Sequence, residues 1–227
     1  MTDPRLSLVL FIAAGVLSGC ASLHPDYEPD PDQRLRELLA PLGQTAESLP
    51  ASDWPRVRFG IERLATRCPS HVPSQVAAAA LAFNAGELQR AQGFVDRALD
   101  LAPSNVEARS LRVRIAVADG SMDLARRLVD DGLQLRPDAA PLYEASAWLH
   151  QLGGRPAEAL VALDAAEELD APKWRVAFHR GLVAEQSGDL NAAVRYYRSA
   201  IAEEHGCPQA EQRLSGLLAQ QRLRRGR

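Results

Sequence analysis

The side chains with most chemistry to offer here are three cysteines and five histidines, and their spacing limits what they can do. His24, His71, His150, His179 and His205 never stand four apart, so no helix face presents paired imidazoles to zinc. Cys68-Pro69-Ser70-His71 and His205-Gly206-Cys207 each offer two donors, short of the four a closed site requires. The chain has no G-x-S-x-G elbow and no phosphate-binding glycine loop. Glu167-Glu168 and Glu203-Glu204 read as solvated helix faces rather than paired catalytic acids. The expectation is therefore a protein with no catalytic residue, no metal, no cofactor and no small-molecule substrate. The remaining chemistry lies at Cys20, behind Leu17-Ser18-Gly19. Small residues before a thiol suit a peptidase cleft that must accept an extended chain.

What precedes Cys20 supports that reading. Arg5 leads an apolar run from Leu6 to Val16, too short to cross a bilayer as a helix. The stretch resembles a bacterial lipoprotein signal, with Leu17, Ser18, Gly19 and Cys20 on all four lipobox positions. The resemblance implies a signal peptide over 1–19, diacylglycerol on the Cys20 thiol, cleavage before it and acylation of the new amino group. Ala21 stands where an aspartate would imply inner-membrane retention, so the same analogy implies the outer membrane, facing the periplasm. The alternative is an ordinary secretory signal with a chance cysteine.

Removing 1–19 leaves 227 − 19 = 208 residues. Composition is that of an ordinary soluble fold, 46% hydrophobic and 24% charged, and a net charge of −3 speaks against nucleic-acid binding. Residues 20–31 read as a lipidated cysteine and an acidic, proline-rich tether spanning at most about 35 Å. Leu35, Leu38, Leu39 and Leu42 then share a helical face interrupted by Pro41. Trp54-Pro55 opens a second helix whose apolar side is read as Val57, Phe59, Ile61, Leu64 and Ala65. Together 32–71 form a degenerate N-terminal helical repeat.

Beyond it a glycine returns every 34 residues, at Gly86, Gly120, Gly154 and Gly188. Five residues later comes an alanine, at Ala91, Ala125, Ala159 and Ala193. Twelve residues later comes another tiny residue, at Ala98, Gly132, Ala166 and Ala200. Glycine suits a helix end that leaves in the left-handed conformation, and the small residues allow helices to approach closely. Leu101, Leu135 and Leu169 close the second helices, and Pro103 and Pro137 forbid continuation. Pro156 opens the second helix of the third unit, whose stop slides to Pro172.

These units resemble tetratricopeptide repeats over 72–207, as 72–105, 106–139, 140–173 and 174–207. The last is the best match, with Gly181, Gly188, Ala193, Tyr197 and Ala200 on motif positions. Gln75, Arg109, Tyr143 and Ala177 stand where the family favours a tryptophan or another large residue. The resemblance implies an all-α, right-handed α-solenoid, closed by a capping helix and basic tail over 208–227. Cys68 and Cys207 flank the array and read as two separate buried thiols, with an intermolecular bridge as the alternative.

In this family the first helices line a concave protein-binding groove. Carried over position by position, the groove here comprises Val76, Phe83, Arg114, Glu144, Trp148, Leu152, Arg175, Phe178 and Leu182. Val76 and Ala80 fill places that hold a peptide carboxylate in chaperone-binding members, so that clamp is not implied. Aromatic anchors at Phe83, Trp148 and Phe178 suit an amphipathic helix or an extended apolar segment of an envelope protein. The same aromatics could instead pack between neighbouring helices. Lipoproteins of this build resemble pilotins and assembly factors of type IV and tight-adherence (Flp) pili and of related secretion machines. The alternatives are an adaptor for cell-wall or outer-membrane biogenesis enzymes and, more remotely, an envelope hydrolase.

Overall fold

A computed structural model of the chain describes residues 30–43, 54–203 and 207–225. The leader, Cys20 and the tether up to residue 29 lie outside the described residues, as do His24, His205 and the last two residues. The described chain is helical, without a strand, and divides between Ser121 and Met122 into two compact units. The first holds α1 (Pro31–Gly43), α2 (Trp54–Arg67), α3 (Val72–Asn84), α4 (Leu88–Leu101) and α5 (Val106–Ala118). The second holds α6 (Met122–Leu135), α7 (Ala140–Leu152), α8 (Pro156–Glu168), α9 (Lys173–Gln186), α10 (Leu190–Ala202) and α11 (Pro208–Arg225).

The turns within the 34-residue units share one geometry. Gly86, Gly120, Gly154 and Gly188 have φ of 78°, 81°, 68° and 81°. In each, the residue after the glycine donates its N–H back to a carbonyl in the last turn of the helix. These bonds are Glu87 to Ala82 (2.9 Å), Ser121 to Ala116 (2.8 Å), Arg155 to His150 (2.9 Å) and Asp189 to Ala184 (3.0 Å). This six-to-one bond satisfies an otherwise orphaned helix carbonyl and requires a left-handed residue just before the donor. A Cβ on any of the four would meet nothing within 4 Å, so conformation, not crowding, selects glycine there. Five residues on, Ala91, Ala125, Ala159 and Ala193 are fully buried, as are Ala98, Ala166 and Ala200 at the next small position.

In the first unit, α1 to α3 close on a cluster of Leu35, Val57, Ile61, Leu64, Ala65, Ala77, Ala78 and Leu81. A second cluster joins α3 to α4 and α5 through Val76, Ala79, Val95, Ala98, Leu111 and Ile115. His71 Nε2 lies 3.0 Å from Asp32 Oδ1, tying the start of α1 to that of α3. Glu62 takes Arg58 (2.8 Å) and Arg90 (2.7 Å), and both arginines also reach Glu87, a network linking α2 to α4. Two expectations fail here. The helix is not interrupted at Pro41: α1 continues to Gly43, so Pro41 lies in its last turn, where the N–H it lacks leaves only the Glu37 carbonyl without its helical donor. Phe59 does not belong to the apolar side of α2, for it is 66% exposed while Val57, Ile61, Leu64 and Ala65 are buried.

In the second unit one cluster gathers Ala140, Ala147, Leu163, Ala166, Ala171 and Val176 from α7, α8 and the start of α9. Another gathers Ala193, Tyr197, Ala200, Cys207, Ala210 and Leu217, with Trp174, Phe178 and Leu182 packed against it. The slide of the proline stop to Pro172 has a local cause. Asp170, at φ 59°, takes the left-handed role without being glycine, and Ala171 N–H bonds Ala166 O at 3.0 Å. The chain then re-enters helix at Pro172, the N-cap of α9.

Candidate protein-interaction faces

The positions assigned to the groove sort into two sets, one on each unit. On the first unit, α3 and α5 carry Val76, Phe83 and Arg114. Val76 is 4% exposed and belongs to the core, as does Ala80, so neither offers a contact surface. Phe83 is half-buried, and the Arg114 guanidinium sits 5.0 Å from its ring centroid. That cation–π contact joins an apolar ring to a cation across the two helices.

The places where a large aromatic was expected are occupied by hydrogen-bonding side chains. Gln75 is fully buried, and its Nε2 donates to Ala65 O at 2.7 Å and to Pro69 O at 3.3 Å. Arg109, also buried, donates from Nη2 to Pro103 O at 2.6 Å. Each reaches a carbonyl at or beyond the end of the preceding second helix, where helical partners run out. Arg112, buried as well, holds Asp96 at 2.7 Å across α4 and α5. None of these three was read from the sequence as a structural link, because each bond runs between separate elements.

On the second unit, α7 and α9 place Glu144, Trp148 and Leu152 beside Arg175, Phe178 and Leu182. Glu144 is only 3% exposed, and Arg175 Nη2 approaches its Oε2 to 2.6 Å. Burial pushes the Glu144 carboxyl above the usual carboxylate range, and Arg175 opposes that shift. Neither Glu144 oxygen has a hydrogen-bond partner of good geometry among the described residues, so Arg175 meets Oε2 as an ion pair. Leu152 is 45% exposed and Trp148 half-buried, which leaves apolar surface beside this pair. Phe178 meets His179 edge-on at 5.6 Å and lies tilted against Tyr197 at 6.0 Å, so much of its ring is packing. Behind it, Tyr197 OH donates to Glu185 Oε2 at 2.6 Å, and Arg213 of α11 reaches Glu185 Oε1 at 3.4 Å. Burial, reinforced by Arg175, pushes the His179 imidazole down to about 4.

Among the described residues no group of three or more His, Cys, Asp or Glu side chains could hold a metal ion. Cys68 and Cys207 carry no disulfide, and burial raises the Cys207 thiol. No described helix is long and apolar enough to cross a membrane.

No protein-family model matches the sequence, and no curated protein does. Solved structures do match. A thermophilic TPR protein from Thermus thermophilus aligns at a TM-score of 0.71 and 16% identity, over 83% of this chain and 99% of that one. Pseudomonas aeruginosa pilF aligns at 0.58 and 15% identity, over 75% of this chain and 74% of that one. A human IFIT1 dimer with m7Gppp-AAAA aligns at 0.68 and 14% identity, over 85% of this chain and 46% of that one. The fold is that of tetratricopeptide-repeat proteins.

Proposed function

We propose that the chain is a non-enzymatic protein-interaction scaffold, an outer-membrane lipoprotein facing the periplasm that assists assembly of an envelope machine such as a pilus or secretion system. The observation that carries the binding role is the α7–α9 face. Half-buried Trp148 and exposed Leu152 offer apolar surface there, over the buried Glu144–Arg175 pair. The aromatic and aliphatic side chains around it match the anchors of an apolar segment laid along a helix pair. The likeness to pilF favours pilus assembly over the cell-wall or outer-membrane biogenesis adaptor, at the level of architecture alone. The IFIT1 structure includes m7Gppp-AAAA with the same fold, but a chain of net charge −3 is poorly suited to such a ligand.

Affinity capture from envelope membranes, with wild type and with Trp148→Ala/Phe178→Ala, tests the face. Loss of a specific partner in the double variant, with the melting curve of the free protein checked in parallel, is the expected result. The same partners at the same affinity would remove the α7–α9 face from the proposal.

A further inference from the structure

The face of α2 turned away from the core carries a pattern that the scaffold role leaves unused. Arg56, Phe59, Arg63 and Arg67 stand at i, i+3, i+7 and i+11, one stripe of the helix. All four are exposed, and with Arg34 and Leu38 of α1 they line a cavity of about 390 Å³. Gly60, inside the stripe, lets α1 come close: a Cβ there would meet Leu38 Cδ2 at 2.6 Å. α2 carries four arginines (56, 58, 63, 67) against Glu62 alone, +3 in a chain of net −3. Glu62 pairs with Arg58 and Arg90, neither of them on the stripe. An exposed aromatic ring set among arginines is the composition of an interfacial membrane contact. There the ring enters the headgroup layer while guanidinium groups hold phosphates. The location agrees, because α1 begins at Pro31, 31 − 20 = 11 residues beyond Cys20, within about 35 Å of extended chain.

We infer that the Arg56–Phe59–Arg63–Arg67 face of α2 is a docking surface for anionic phospholipid, laying the N-terminal cap on the membrane. Its place in the cell rests on the lipid-anchor reading, so the test uses a chain without the lipid. The chain from residue 20 onward keeps every described helix and, with Cys20→Ser, cannot be acylated on that side chain. It is sedimented with phosphatidylcholine vesicles with and without phosphatidylglycerol. Binding is expected only with phosphatidylglycerol and should weaken as salt rises. Arg63→Glu and Phe59→Ser should each weaken it about tenfold. Both side chains are exposed, so the melting curve should be unchanged, and if Phe59→Ser shifts it, Arg63→Glu decides. Equal binding by Arg63→Glu, no binding to anionic vesicles, or capture of an acidic peptide such as polyglutamate in place of vesicles would overturn the inference. Because acylation plays no part in the assay, a failed lipid anchor and a failed docking face give separate results.

Discussion

The imidazole of His179 stands against Phe178 on α9, held neutral by burial and by the charge of Arg175. Its folded pKa of about 4 lies below the ordinary value of 6.5, so the unfolded chain binds the proton more readily. The stability this residue contributes is therefore complete above about pH 6.5 and is lost as pH falls toward about 4. The whole window is worth at most about 3 kcal/mol. Glu144 acts in the opposite sense, since its raised carboxyl keeps a proton longer in the fold than out of it. Melting temperature should thus decline from about pH 7 to about pH 4.5, and His179→Gln should flatten that decline. Parallel pH profiles for the variant and the wild type would show that the acid limb belongs to other groups.

Glycine serves two unlike purposes in α9, α10 and the turn between them, and substitution separates them. Gly188 has room for a side chain but a φ of 81°, whereas a Cβ on Gly181 would come within 2.5 Å of Tyr197 Cε1. Tyr197 is fully buried and bonded to Glu185, so its ring cannot simply swing aside. Gly181→Ala should gain about 1 kcal/mol of helix propensity and lose about 1–3 to overpacking, a net loss that lowers Tm. Gly188→Ala should lose about 1–2 kcal/mol to backbone strain. Asparagine tolerates the left-handed region, so Gly188→Asn should recover much of the Gly188 loss, whereas Gly181→Asn should be worse than Gly181→Ala. Thermal melts of the four variants check this, and equal rescue at both sites would contradict it. The turn glycines were legible in the sequence because a backbone demand that repeats every 34 residues leaves a fixed residue type. The roles of Gln75 and Arg109 were not, because each caps a carbonyl in another element while occupying a position where an aromatic is usual. Phe59 was misplaced by its hydrophobicity alone, since helical spacing sets it with Arg56 and Arg63 rather than with Val57 and Ile61. Val76 lies on a helix of small apolar residues buried on most sides, where periodicity cannot separate core from open face.

At the scale of the whole molecule, fold and address are written in different parts of the chain. A handful of small residues in phase is enough to specify stacked helical hairpins, which is how a TM-score of 0.71 coexists with 16% identity. Helices of that kind can serve in any compartment, so the proposed cellular place depends on the segment before the first helix. If Cys20 is the lipid-bearing residue, Cys20→Ala removes the only thiol in Leu17-Ser18-Gly19-Cys20 and with it the attachment point. Acyl chains add about 0.8 kcal/mol per buried methylene, so their loss converts stable anchoring to whatever weaker contact the helices make. Metabolic labelling with an acyl-chain precursor should mark the wild type and not Cys20→Ala, whose precursor should keep residues 1–19 and run larger on a gel. Labelling that survives the substitution would move the lipid elsewhere. An unlabelled wild type cleaved at another bond would make the leader an ordinary secretory signal.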